Sequence, residues 1–140
     1  MAYNYKLRVK HLVEKAGSSN PAVIAKMLGI NIRYVDTPNN TNGFWKRILR
    51  RKFIFVNERL DEWQRMTVIS HELGHILLHP HYHHFCSEGR SYFASSRHEN
   101  EADNFAMCLM DAYGIDPIYS YAFLQNLSLI HISEPTRRRG

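Results

Sequence analysis

A short motif, His71-Glu72-Leu73-Gly74-His75, combines the residue types that activate water on a metal ion. Residues four apart lie on one face of a helix, so the imidazoles of His71 and His75 can bind the same ion. Glu72 follows His71 directly, and its carboxylate can reach the same side of the site. Two imidazoles and a carboxylate in this order are the minimum set for a zinc-activated water with a carboxylate as general base.

The motif requires a helix, and the flanking residues predict one over residues 61–79. Asp61 is suited to cap its first turn, Gln64 can complete a capping box, and Pro80 ends the run. Gly74 lowers helix propensity by about 1 kcal/mol relative to Ala, so we expect another backbone to approach it closely. Apolar residues recur at three- and four-residue steps and predict a buried face beside the two histidines: Trp63, Met66, Ile69, Leu73, Ile76 and Leu77.

A catalytic zinc site has three protein ligands and an open position, so a third ligand must come from elsewhere in the chain. Residues 99–110 predict a second helix, and Glu99 in its first turn can bind the metal. Asp103, one turn later, can accept a hydrogen bond from the other ring N–H of a ligating histidine, which fixes the tautomer. Glu101 points elsewhere on this helix and is the less favoured ligand. The alternative interpretation is an ordinary acidic helix start.

Two other histidines offer alternative ligands. His81 has the spacing of the third histidine in metzincins, but Leu78 stands where that pattern has a glycine for a sharp turn. His79 lies at the predicted helix end, where a histidine caps the last carbonyls or lies in solvent. The histidine tract over residues 79–84, with Cys86 close behind, could form an accessory metal site. We interpret it instead as a polar loop that is rich in histidine.

The histidine-containing helix and the acidic helix that follows it together resemble a known family, the ImmA/IrrE-type metallopeptidases, a small gluzincin-like group. The similar segments are DEWQRMTVISHELGHILLH at residues 61–79 and ENEADNFAMCLM at residues 99–110. Residues 20–36 and 43–57 also fit the layout of that family, and the resemblance covers roughly residues 18–112. It implies that the zinc ligands are His71, His75 and Glu99, and that the catalytic base is Glu72.

The resemblance also implies a function, the zinc-dependent cleavage of a repressor or regulatory protein inside the cell, often in a phage, a mobile element or a stress response. Glu72 would take a proton from the attacking water and return it to the leaving amine. The oxyanion needs a further donor, for which the candidates are Arg97, His98, Tyr92 and the histidines at 81–84. The alternative function is that of a non-catalytic, zinc-binding regulator with the same fold.

A third class of function, nucleic-acid binding, rests on a basic cluster. Five cationic residues flank two predicted strands, 43–49 and 52–57, which indicates a hairpin with a basic turn: Lys46, Arg47, Arg50, Arg51 and Lys52. A solvated hairpin end explains them better than a nucleic-acid surface, although an acidic protein partner also fits. Residues 20–30 resemble the opening of a helix-turn-helix, but residues 31–36 predict a strand where a recognition helix would stand.

Composition bounds the setting of the chain. We expect a single metallopeptidase domain over residues 1–126. Residues 127–140 resemble the translation of a sequencing adaptor, and we expect them to be a non-native tail. The two cysteines indicate no disulfide framework, and Cys108 is expected in the core. The basic start and the lack of any long apolar run predict a cytoplasmic protein without a membrane segment. The oligomeric state stays open.

These elements predict the fold class α+β, a compact minimal zincin domain in which helices pack on a small mixed sheet and one helix carries the motif. Residues 3–16 and 20–30 predict helices, and residues 38–42 a loop. Residues 87–96 form a polar connection that contains Phe93, along which an extended peptide substrate could add as a strand. We expect Phe93→Pro to impair peptide turnover without changing the zinc content.

Overall fold

As far as Tyr113, helical and strand segments follow the order that the sequence pattern predicts, and a further helix over Pro117–Leu124 was not predicted. The computed structural model describes residues 3–80 and 96–125. Within these residues the chain forms five α-helices and three β-strands. In chain order they are α1 (Tyr5–Ala16), α2 (Pro21–Met27), β1 (Asn31–Val35), a 3-10 turn (Pro38–Asn40), β2 (Gly43–Ile48), β3 (Arg51–Asn57), α3 (Glu62–Leu78), α4 (Ser96–Tyr113) and α5 (Pro117–Leu124).

Side-chain caps set the starts of the short helices. Asn4 Oδ1 accepts a hydrogen bond from the Leu7 N–H at 3.0 Å at the start of α1. Asn20 Oδ1 does the same for the Ala22 N–H at 2.8 Å, and α2 begins with a proline whose missing N–H would be unpaired there anyway. Asp116 caps α5 in the same way, with 3.0 Å between its Oδ1 and the backbone nitrogen of Ile118. These caps satisfy backbone donors that no helix can pair internally.

The sheet is a β2–β3 hairpin joined by a parallel strand. Strand β3 lies in the centre, antiparallel to β2 and parallel to β1, so the strand order is β1-β3-β2. Leu49 and Arg50 make the two-residue turn with φ of +50 and +70, the geometry that matches the twist of a hairpin. The basic residues predicted at a hairpin end do flank this turn. Trp45 in β2 is buried.

Helix α3 lies at the centre of the molecule. Its start is fixed by the Asp61 N–H, which donates to Gln64 Oε1 at 3.0 Å, as the capping box predicts. Every residue from Met66 to Ile76 is buried, because α4 packs on one side of the helix and the sheet, α2 and α5 cover the others. A helix covered on all sides holds its side chains rigidly, which is the condition that a ligand pair needs.

The predicted fold class is confirmed: the architecture is α+β, with helices packed on a small mixed sheet. One cluster of buried apolar residues joins α1, the sheet, α3 and α4. In the part of the chain that the structure describes, no helix is long and apolar enough to cross a membrane. The expected tail at 127–140 and the polar connection with Phe93 lie outside the described residues.

Candidate active site

The site depends on an unusually close approach of α3 to α4. A Cβ atom on Gly74 would stand 3.1 Å from Ala102 Cα, 3.2 Å from Ala102 O and 3.3 Å from Phe105 Cβ. A residue larger than glycine would therefore push against the α4 backbone, as the presence of Gly74 in a helix predicts. This contact brings the first turns of α4 against the face of α3 that carries His71 and His75.

Three metal-binding side chains converge at this crossing. His71 Nε2 and His75 Nε2 lie 3.1 Å apart. Glu99 places Oε1 3.1 Å from His75 Nε2 and Oε2 3.2 Å from His71 Nε2. Donors bound at about 2.0–2.1 Å to a tetrahedral zinc ion are about 3.3 Å from one another. The N, N, O set therefore could hold a zinc ion with little movement, and the carboxylate that lies in this cluster is that of Glu99, whereas Glu101 lies in a separate group.

A second layer of contacts orients His71. Its Nδ1 lies 2.9 Å from Asp103 Oδ1, so the ring presents Nε2 to the metal position. Gln125, just beyond α5, donates from Nε2 to Asp103 Oδ2 at 2.6 Å. The sequence reasoning named Asp103 for this position but missed Gln125, because no local spacing relates the end of α5 to α4.

The electrostatics of the cluster favour a cation. Burial lowers the pKa of His71, but the carboxylates of Asp103 and Glu99 outweigh burial and raise it to about 10. Burial raises the pKa of Glu99, but hydrogen bonds from His71 and His75 outweigh it, and the pKa of that carboxyl falls well below its usual range. The surrounding acidic groups thus stabilise positive charge at the point where the three donors meet.

Glu72 stands beside the cluster and is almost completely buried. Only 3% of the residue is exposed, and burial raises the pKa of its carboxyl. Among the residues that the structure describes, Oε1 of Glu72 has no hydrogen-bond partner. A buried acceptor without a partner is unfavourable unless a bound molecule supplies one, so this oxygen is available to a proton donor in the cleft.

An open cleft of about 380 Å³ leads to these groups. Its walls come from the start of β2, from α3, from α4 and from the end of α5: Thr41, Asn42, Gly43, Val68, His71, Glu72, Glu99, Asp103, Leu124 and Gln125. The β2 wall was not identified from the sequence. A Cβ on Gly43 would lie 2.5 Å from Val68 Cγ1 and 2.6 Å from Phe55 O. A glycine inside a strand signals such close approach, so Gly43 was the available signal.

The candidate oxyanion donors lie elsewhere or outside the described residues. Arg97 and His98 line a neighbouring cavity with His79 and Glu101, and neither lines the cleft of the His71 cluster. Tyr92 and the histidines at 81–84 lie outside the described residues. The oxyanion role of these residues stays a prediction.

Two positions were expected for His79, at the helix end as a cap or in solvent, and the structure has the first. His79 is the C-terminal cap of α3 and is 7% exposed, with Nε2 3.3 Å from Glu101 Oε1. Cys108 is half-buried against the core, close to the expected position.

Comparison with known proteins agrees with this geometry. Residues 25–113 match a peptidase family described as the IrrE N-terminal-like domain. Over 105 residues the chain is 35% identical to "Uncharacterized immunity region protein 2" of Bacillus phage phi105, which covers 75% of this chain and 66% of that protein. No solved structure matches the chain. The matched residues include both helices that carry the cluster, and the chain belongs to the ImmA/IrrE-type peptidase family.

Proposed function

We propose that the protein is a zinc-dependent endopeptidase that cleaves a specific regulatory or repressor protein. The observation that carries this proposal is the set of three donors, separated by 3.1–3.2 Å, with a carboxylate oxygen of Glu72 beside them that has no partner within residues 3–80 and 96–125. Its zinc ligands are His71, His75 and Glu99. When bound there, zinc polarises the scissile carbonyl and lowers the pKa of a water molecule.

Glu72 is the proposed general base. Its Oε1, which has no partner in the described part of the chain, accepts a proton from the attacking water, and the same carboxyl then protonates the leaving amine. Burial raises the pKa of this carboxyl, which brings it closer to neutral pH and makes the return of the proton easier. The neighbouring His71 and His75 act in the opposite direction on this pKa and favour the ionised carboxylate that a general base requires.

Asp103 and Gln125 position the reacting groups. The Asp103 carboxylate lies 2.9 Å from His71 Nδ1 through Oδ1 and accepts a hydrogen bond from Gln125 Nε2 at 2.6 Å through Oδ2. It is therefore held from two sides. A histidine locked in this way keeps its Nε2 lone pair directed at the metal position. The link also ties α5 to the site, so the end of α5 forms a fixed wall of the cleft.

The shape of the cleft suits an extended peptide. Strand β2 is an edge strand of the sheet, and its first residue, Gly43, lines the cleft with Thr41 and Asn42. The backbone groups of an edge strand can form hydrogen bonds with the backbone of an added strand. A peptide bound in this way is held by its main chain, whatever its side chains, and its peptide bonds are presented to the site. The immunity-region name of the phage relative supports a repressor-type substrate, and such a protein would have to enter this cleft as a loop or an unfolded segment.

The test compares wild type with Glu72→Gln and with the control Glu62→Gln, an exposed position on the same helix. Each protein is loaded with zinc and incubated with a denatured bacterial proteome, and new amino termini are identified by mass spectrometry. We expect new termini with wild type and Glu62→Gln, none with Glu72→Gln, and equal zinc in all three. New termini that are equally abundant with Glu72→Gln would contradict the proposal and favour the non-catalytic regulator.

A further inference from the structure

One helical turn beyond His75, the end of α3 meets the first turns of α4 at a second group of metal-binding side chains. His79, His98 and Glu101 each offer one ligand atom, and these atoms all lie within 4.8 Å of one another. The group shares no residue with the His71 cluster. It is nevertheless close, because the ring centroids of His75 and His79 are 5.9 Å apart.

Two donors of this second group already lie at the separation that a shared ion requires. His79 Nε2 lies 3.3 Å from Glu101 Oε1, the separation of about 3.3 Å that two donors on one tetrahedral zinc ion adopt. The rings of His79 and His98 lie 4.0 Å apart and are inclined by 37°. His98 stands in the first turns of α4 and is half-buried, with its ligand atom within 4.8 Å of those of His79 and Glu101.

The surroundings leave room for an ion and its water ligands. A cavity of about 380 Å³ adjoins the group and is lined by Tyr3, Tyr5, Leu78, His79, Arg97, His98 and Glu101. Arg97 Nε lies 3.6 Å from Glu101 Oε2, but 85% of its side chain is exposed. An exposed ion pair of this kind is weak, so a metal ion can displace the guanidinium from the carboxylate.

We propose that His79, His98 and Glu101 form a second divalent-cation site, adjacent to and independent of the proposed catalytic metal. Two imidazoles and a carboxylate select zinc and neighbouring transition metals such as Ni²⁺ over Mg²⁺ or Ca²⁺. The ion joins the C-terminal cap of α3 to the first turns of α4. Glu101 is two residues after Glu99 on the same helix, so the ion also holds the segment that carries Glu99.

The second site binds zinc more weakly than the first. At the His71 cluster all three donor pairs are separated by 3.1–3.2 Å, whereas the donors of the second group share only the wider bound of 4.8 Å. Arg97 also competes for Glu101. We expect Arg97→Gln to tighten the weaker equivalent by about two- to fivefold, the range for loss of an exposed ion pair.

The experiment measures zinc stoichiometry on chelator-stripped protein, by calorimetric titration with ZnCl₂ and by elemental analysis after gel filtration. Wild type should bind two equivalents of different affinity. His98→Ala should keep the tight equivalent alone, and Glu99→Ala the weak one alone. His11→Ala removes an exposed histidine from α1 and is the matched control, which should bind two. Circular dichroism verifies that each variant is folded.

A single equivalent in wild type, or two equivalents in His98→Ala, would overturn the proposal. Glu101→Gln is the second variant: it removes the carboxylate charge but keeps the side-chain volume, and it should also lose the weak equivalent alone. These counts do not depend on peptidase activity. A protein that binds two zinc ions but cleaves nothing would contradict the proposed function and leave the second site standing.

Discussion

Replacing Gly74 by alanine probes the contact on which the whole site depends. Alanine raises helix propensity by about 1 kcal/mol, so an isolated helix would become more stable. In this structure the new Cβ would stand 3.1 Å from Ala102 Cα and 3.2 Å from Ala102 O. These are backbone atoms of α4, so no side-chain rotation can relieve the contact and the helix itself must move by a few tenths of an ångström.

Overpacking of this kind costs about 1–3 kcal/mol, which exceeds the gain in propensity. We therefore expect Gly74→Ala to lower the free energy of unfolding by about 0–2 kcal/mol, the difference between these two effects. Because α4 carries Glu99 less than one turn before Ala102, the same shift should weaken binding at the tight zinc site about tenfold, as loss of a supporting contact does.

Urea denaturation of the metal-free protein measures the first quantity, and zinc competition with a chromogenic chelator measures the second. Asn100→Ala is the control, since it raises helix propensity on the exposed side of α4 without touching α3. The control should be slightly more stable and should bind zinc like wild type. If Gly74→Ala were more stable by about 1 kcal/mol and bound zinc normally, helix propensity alone would explain its stability. The close approach of α4 to Gly74 would then be refuted.

Three further outcomes are expected. Glu99→Ala should lose the tight zinc equivalent, as measured by elemental analysis, and unchanged tight binding would assign the third ligand to another residue. In the metal-free protein, the pKa of His71 is raised from 6.5 to about 10. Its contribution to stability is therefore complete below pH about 6.5 and declines as the pH rises through about 10, so urea midpoints should fall over this range. Asp103→Asn should flatten that decline, and an equally steep decline would contradict the assigned cause. Leu49→Asn with Arg50→Gly should raise the melting temperature, because φ is positive at both positions and left-handed geometry costs about 1–2 kcal/mol per ordinary residue. An unchanged or lower melting temperature would argue against strain in the turn.

Much of the fold could be predicted because its signals are local. The Asp61 and Gln64 pair, the apolar spacing of α3 and the basic hairpin each depend on residues a few positions apart. The same locality places His71 and His75 on one face of a helix, since a turn of 3.6 residues sets that relation before any packing occurs. The sequence also suffices to suggest Glu99 as the partner of these histidines.

Packing between distant segments could not be predicted in this way. Periodicity indicates which face of a helix is buried, but not which helix covers that face or at what height along it. Whether Glu99 or Glu101 lies beside the histidine pair is therefore decided by where α4 crosses α3 at Gly74. Gln125, the residue that follows α5, contacts Asp103 although 22 positions separate the two in the chain.

The helical repeat alone therefore sets the histidine pair and the carboxylate that follows the first histidine. The tertiary structure decides what those groups face: a β2 wall at Gly43, an amide from the end of α5, and a second cluster where His79 meets His98 and Glu101. The physical reason is that backbone geometry relates neighbours in sequence, whereas the distances between donors on separate elements follow from the close packing of the core.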